Sequence, residues 1–362
     1  MNLRINHRIG DGIVNVKFFN SFSLDLKYDS VASTFNFRFY FDPMNKQHAE
    51  LACVSHFHEA IVEHNGETLI TGFILTQKFI QSSVKNMVEI AGYSKTGVLG
   101  DCEIPPSLYP LQNDGLSLEQ IATRLIAPFR LKLINNAGAT LNKSVNKKIK
   151  KTTASHSQNI ISYLSEIAQQ RNVVLTHNEF GDLVITDAKT DGLPIMDIKK
   201  GGLIGTTLEL TFNGQPIHSH ITIIKQASAD GGNGGEYTIR NPYCPVAYVY
   251  RPRVIEQSSG DEFTVQETAA NALALELKNI TLIVTIDMWD LNGKIIRPNN
   301  TITVYSPEIF LYKKTTWFIE SINYTGNEKE TIATLTCVLP EVYNKKIPKN
   351  IFVDSHENLP RF

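Results

Sequence analysis

Apolar positions alternate with a period of two through most of this chain and switch to a helical period in three places. The sharpest alternation is STFNFRFYFD at residues 33–42, where Phe35, Phe37, Phe39 and Phe41 interleave with Thr34, Asn36, Arg38 and Tyr40. A strand turns successive side chains to opposite faces, so the four phenylalanines share one face. That face must be covered, by the core or by another subunit, because a bare aromatic stripe would itself be an association site. Asn65-Gly66 then marks a tight turn between two strand-like runs. Beyond it, Leu69, Thr71 and Phe73 fall on one face and Ile70 and Ile74 on the other, which predicts a strand covered on both sides.

The helical stretches carry capping signals. Ser117 with Gln120 starts one, with Ile121, Ala122, Leu125 and Ile126 as its apolar stripe and Pro128 as its limit. A second is expected after Ser155, with Gln158 three residues on and Ile160, Ile161, Leu164, Ile167 and Ala168 buried. Residues 173–176 and 183–186 then predict a hairpin with Gly181 at its tip. Thr264 with Glu267 caps a third helix running to about Lys278, where Ala269, Leu273 and Leu277 share a face. Strand runs are expected at 207–212, 220–225, 281–289, 301–305, 315–325 and 330–339, with Asn292-Gly293 as a turn. The glycine-rich stretch ADGGNGGEY at 229–237 reads as a flexible loop. It lacks the Gly-Lys-Ser/Thr ending and the strand-to-helix setting of a phosphate-binding loop.

The order is therefore strand-rich, mixed, strand-rich. This predicts an α+β, β-dominated chain: a first β-barrel-like domain at 1–93, a small α/β module at 94–198 and a second β-barrel-like domain with one helix at 199–343. Residues 344–362, charged and with two prolines, are expected to extend away as a tail, with 351–353 as the place where they could dock on a partner.

Composition narrows the function. The 362 residues suffice for two or more domains, and 42% hydrophobic content supports packed cores. A formal net charge of −1 gives no global case for binding nucleic acid or an anionic membrane. The N-terminal residues show no secretory apolar region, and no run reaches the roughly 18 apolar residues of a membrane span. Cys53, Cys102, Cys244 and Cys337 are widely spaced and form no CxxC pair, so they are read as reduced thiols suited to a reducing cytoplasm.

Candidate chemistry is sparse. His56-x-His58 and His218-x-His220 would each put two imidazoles on one strand face, a pattern that can ligate zinc or iron, but only His64 is near as a third ligand. Asp287 and Asp290 flank Trp289, a carboxylate pair of the kind a glycosidase uses. Asp290 opens an Asn-Gly turn, however, where Asp serves the backbone. No G-x-S-x-G elbow or H-E-x-x-H motif occurs, and Gly92-Tyr93-Ser94 is not an elbow. No catalytic, cofactor-binding or metal-binding residue is assigned. Lys143, Lys147, Lys148, Lys150 and Lys151 make one dense basic run within 142–157. It reads as a solvated loop, or as a positive rim around a channel that passes DNA without sequence preference.

Several motifs carry a resemblance. RPRVI at 251–255, WDLNGKIIRPNN at 289–300 and CVLPEVY at 337–343 follow ETLITGFILTQ at 67–77 and VEIAGYSKTGVLGDC at 88–102. Between them lie SLEQIATRLIAPF at 117–129 and the helix-hairpin segment 158–187. In this order and spacing the chain resembles the baseplate hub proteins of contractile phage tails, of the Mu-like tail protein P type, over residues 1–343. The resemblance implies a non-enzymatic virion protein, from a phage, a prophage or a tail-like particle. It implies a homotrimer whose pseudo-sixfold ring joins the tail tube and distal tail proteins to the central spike. The channel would hold the tape-measure protein and later DNA, and assembly would take place in the host bacterial cytoplasm without membrane insertion. The lysine run and the tail depart from the pattern. A tail-associated carbohydrate- or cell-wall-binding protein, with the α/β module as glycan reader, is the alternative; a cell-wall hydrolase is a further rival.

Overall fold

The Asn65-Gly66 and Asn292-Gly293 pairs form the turns expected of them. Asn65 and Gly66 have φ of 49° and 84°, and Asn292 and Gly293 have 53° and 77°. Positive φ at both central positions matches the twist of the strands they join, and Asn and Gly tolerate it best.

The structure, a computed structural model, describes residues 1–6, 13–155, 157–199, 202, 205–225, 234–257, 264–327 and 330–352. The first elements are β1 (Asn2–Asn6), β2 (Ile13–Val16), β3 (Ser21–Lys27), β4 (Thr34–Tyr40), α1 (Lys46–Leu51), β5 (Glu59–His64), β6 (Glu67–Ile80) and β7 (Met87–Ser94). Next come α2 (Val98–Asp101), α3 (Leu118–Ile126), β8 (Leu133–Asn135), α4 (Ala139–Val145), α5 (Ile160–Gln170), β9 (Val174–His177) and β10 (Leu183–Thr186). Then follow β11 (Met196–Lys199), β12 (Thr207–Phe212), β13 (His220–Lys225), β14 (Gly235–Arg240), β15 (Pro252–Gln257) and α6 (Val265–Leu277). The last are β16 (Ile280–Ile286), β17 (Asp290–Leu291), β18 (Lys294–Ile295), β19 (Thr301–Ser306), β20 (Leu311–Asn327), β21 (Thr331–Val338) and α7 (Glu341–Asn344).

The chain divides into two units. One holds Met1–Asp187, Asp287–Pro298 and Ser321–Ala333; the other holds Ala188–Ile286, Asn299–Glu320 and Thr334–Phe362.

In the first unit the strand order is β20-β3-β4-β7-β6-β5-β1-β2, with residues 321–327 of β20 on β3. Phe35, Phe37 and Phe39 are buried as the alternation predicts. Phe22 stacks on Phe37 with ring centroids 5.6 Å apart, and Gly92 stands opposite Phe35 in the register. A Cβ at Gly92 would overlap the Phe73 carbonyl and the Phe35 ring, so the backbones approach here as only glycine allows. Phe41 lies just beyond β4 and is half-buried against Phe79, at 5.2 Å between ring centroids. In β6 Leu69, Ile70, Thr71 and Ile74 are all buried, so that strand is covered on both sides. The same unit contains the α/β module. Its three-stranded sheet β8-β10-β9 packs with α3 and α5 around Leu99, Ile121, Leu125, Leu164, Leu183 and Ile185. The Ser117/Gln120 capping box is present, and the hairpin turns at Gly181 with φ 86°.

In the second unit the order is β12-β16-β21-β20-β19-β11, and a separate sheet β14-β13-β15 packs on α6 through Ile221, Ile223, Ile239, Ala269 and Leu273. The Thr264/Glu267 capping box starts α6.

The β-dominated reading holds, but the barrels do not. Among the described residues β2 pairs only with β1 and β12 only with β16, so the sheets keep open edges. Three local expectations also differ. Asn159, not Ser155, caps α5, its side chain accepting from Ser162 N at 2.8 Å; Ser155 and Gln158 only form the turn before it. Trp289 falls after β16, because the run expected at 281–289 ends as a strand at Ile286. The lysine run contains the end of α4, because Val145 and Ile149 are buried in the module core. Of the glycine-rich loop, residues 229–233 lie outside the described residues, as do 353–362 of the tail.

Phe37→Asp places a charge on a site with no exposed surface. Truncation of a buried Phe alone costs about 3–5 kcal/mol, so this variant should yield no soluble folded chain. A cooperative thermal melt from purified F37D would refute the buried-face assignment.

Candidate interaction surface

The turn GYSKTGVLGDC binds the large sheet of the first unit to its α/β module through a buried polar network. Ser94 Oγ and Thr96 Oγ1 both donate to the Val31 carbonyl, at 2.8 and 2.5 Å, and both residues are fully buried. Ser94 and Ser33 exchange further bonds, Ser94 N to Ser33 O at 2.9 Å and Ser33 N to Ser94 Oγ at 3.3 Å. His177 extends the network from β9. Its Nδ1 lies 2.8 Å from the Asn178 carbonyl, which can only accept, so Nδ1 carries the proton. Nε2 is then free to accept from Ser33 Oγ at 2.7 Å, while Ser33 Oγ accepts from Lys27 N. Burial holds the His177 pKa below the ordinary imidazole value, which keeps this neutral tautomer. Leu99 is buried in the module core, and Tyr93 donates to Asp101 at 2.6 Å. Gly92, Ser94, Thr96, Leu99 and Asp101 thus each have a packing or bonding role.

The other motifs also hold structure together. Trp289 packs edge-on to Phe22 at 5.2 Å and His64 at 5.4 Å, and its indole N–H donates to the Ile332 carbonyl at 3.0 Å. Asp290 accepts from His64 Nε2 at 2.7 Å, and Arg297 donates to the Thr68 carbonyl at 3.1 Å. Tyr324 donates to the Ile296 carbonyl. In the second unit Arg251 donates to the carbonyls of Ile217 and Gln215. Arg253 meets Glu276, a carboxylate only 2% exposed, at 3.2 Å. Glu276 also accepts from His218 N at 2.9 Å, His218 Nδ1 at 2.7 Å and Asn241 Nδ2 at 3.3 Å. Four charge-assisted or neutral donors on one buried carboxylate satisfy its lone pairs.

The second unit also presents an open apolar groove of about 1050 Å³. Its walls are Leu210, Phe212, Tyr243, Pro245, Tyr248, residues 307–310, Asn350 and Phe352. Beside it Tyr248 is 87% and Tyr250 69% exposed, with Val246 and Val249 about half exposed. The tail reaches this place. Tyr243 OH donates to the Lys349 carbonyl at 3.2 Å, and Asn350 Nδ2 donates to the Pro242 carbonyl at 3.0 Å. Residues 344–352 therefore fold against the unit. Sequence reasoning passed over this surface. Its signal is the proline-bounded aromatic run NPYCPVAYVY at 241–250, whose apolar residues follow neither a strand nor a helix period.

The remaining candidates are dispersed. His56 and His58 rings lie 5.3 Å apart, and Cys53 Sγ is 3.7 Å from His56. Among the described residues no three ligand-type side chains gather into a metal site. His218 turns to Glu276, while His220 faces Ser219 Oγ and the Tyr250 ring. Asp287 is exposed and Asp290 is engaged by His64. The five lysines are exposed on a segment anchored by Val145 and Ile149. All four cysteines are free thiols. Cys244 and Cys337 are buried, and burial pushes both thiols up. No described helix is long and apolar enough to cross a membrane.

Residues 96–187 match the family described as baseplate hub protein gp44-like, second domain. That span begins in the GYSKTGVLGDC turn and ends after β10. The chain is 24% identical over 296 residues to baseplate hub protein gp44 of Escherichia phage Mu, covering 77% of this chain and 74% of that one. Its fold is similar to the 43 kDa tail protein of prophage MuSo2 from Shewanella oneidensis, with TM-score 0.76 and 20% identity over 96% of this chain and 100% of the other. A tail protein from Neisseria meningitidis MC58 gives TM-score 0.76 and 16% identity over 95% and 99%. The resemblance to baseplate hub proteins carried by the sequence motifs therefore stands.

Two outcomes test the polar networks. A neutral, buried His177 stabilises the fold fully above the ordinary imidazole pKa of about 6.5, and the contribution drains as pH falls below it, because the unfolded chain then binds the extra proton. The melting temperature should therefore drop between pH 7 and pH 5, and His177→Gln should flatten that slope; equal slopes would remove His177 from the network. Glu276→Ala strands Arg253, His218 and Asn241 and should cost about 3–5 kcal/mol. Hydrogen exchange should place the loss in α6 and β13–β15, and unchanged protection there would refute the role given to Glu276.

Proposed function

We propose that this chain is the structural baseplate hub of a contractile phage tail or tail-like particle. It joins the tail tube and distal tail proteins to the central spike. The observation that carries the reading is that the likeness to tail proteins runs along nearly the whole chain, and that the motifs behind the resemblance form the bonds on which both units depend. The role is geometric and not catalytic. Three chains close into a ring, and each brings two units, so the ring offers six elements to the sixfold tube and three equal positions to the threefold spike. The channel inside admits the tape-measure protein and later DNA, and the exposed run of Lys143 to Lys151 would face it as a sequence-neutral positive rim. Assembly takes place in the host bacterial cytoplasm, and the product is part of the virion baseplate.

One observation favours the carbohydrate-binding reading. Tyr248 and Tyr250 are exposed rings of the kind that stack on sugars. They lie in the second unit, however, and outside the α/β module which that reading takes as its glycan reader.

The test is the solution mass of the purified chain by light scattering over a concentration series, alone and with its spike protein. A mass of three chains, alone or with the spike present, is the expected result. A strict monomer under both conditions, with saturable retention on cell-wall glycans, would overturn the hub reading.

A further inference from the structure

We infer that the aromatic groove of the second unit is the receptor for residues 353–362 of the same chain, VDSHENLPRF. The inference is independent of the hub reading and concerns what covers the largest apolar opening described above.

Position comes first. Phe352 is both the last described residue and part of the groove wall. Its ring lies 5.9 Å from Phe212, 5.9 Å from Tyr243 and 6.4 Å from Phe310. The approach is fixed by the hydroxyl of Tyr243, which donates to Lys349 O and accepts from Ile351 N at 3.4 Å. The described chain therefore ends at the groove wall. Ten residues span up to about 33 Å when extended, enough to cross it.

Chemistry agrees with position. The segment ends in Leu359, Pro360, Arg361 and Phe362, two apolar anchors around a proline. Grooves lined by aromatic and proline side chains hold such extended, proline-containing segments, because little chain entropy is lost on docking. At about 1050 Å³ the groove is at the upper end of binding-cleft sizes, about 300–1,000 Å³, and suits a short peptide. Glu308 is the charged residue of the lining, and Arg361 is the cation that would meet it. Attachment at Phe352 makes the event intramolecular, with an effective concentration on the order of millimolar. Even a weak contact would then keep the groove filled.

The test uses the full chain with Phe362 replaced by the photoreactive analogue p-benzoylphenylalanine. Irradiation should give cross-links within one chain to peptides that contain Tyr248 or Phe310. Absence of cross-links to those peptides, or cross-links only between chains, would overturn the assignment; the latter would put the tail in a second copy's groove. A second variant, Leu359→Asp with Phe362→Asp, removes both anchors without touching the folded wall. Amide exchange of residues 246–250 should then rise about tenfold, since an opened segment exchanges in proportion to its open population. Unchanged exchange would overturn the assignment. Both readouts are intramolecular, so they hold whether or not three chains associate.

Discussion

The carbonyl of Val31 is the point on which the first unit depends. It lies where a strand-based sheet gives way to a helix-based module, at a depth where water cannot serve it. A buried backbone acceptor must find donors in the chain itself. Ser94 and Thr96 supply two, and Ser33 and His177 close the network around them. Hydrophobic contact alone is non-directional and would allow the module to slide on the sheet. The hydroxyl network does not, because any shift strands several buried polar atoms at once. The neutral state of His177 belongs to the same constraint, since a proton on Nε2 would leave Ser33 facing a second donor.

The same constraint bears on what a short motif means. Trp289, Arg297, Arg251 and Arg253 look like functional residues in a bare sequence. In the fold each satisfies a specific partner: an indole N–H on the Ile332 carbonyl, guanidinium groups on the carbonyls of Thr68 and Ile217, and an ion pair on Glu276. Trp289, Arg297 and Arg251 bond backbone carbonyls, which no substitution can alter, while Arg253 bonds the Glu276 side chain.

Legibility from sequence followed the periodicity. β4, β6, β12, β13 and the three capped helices were readable, because alternation and capping are local and each leaves a mark within a few residues. The open sheets were not readable, since edge closure depends on pairing between distant strands. Asn159 was missed as the cap of α5 because Ser155 offers the same local pattern four residues earlier. The groove was missed for another reason. Its walls come from Phe212, Tyr243, Phe310 and Phe352, which are far apart in the chain and share no period.

Each unit is assembled from three separate stretches of chain, and the last stretch of the first unit ends at Ala333. A ribosome must therefore synthesise residues 28–320 after β3 before residues 321–327 can add their strand to it. Early portions must wait with an unfilled sheet edge, exposed to association with other nascent chains. For the same reason no single cut in the gene separates one unit from the other. Recombination that respected both units would have to exchange the three stretches together.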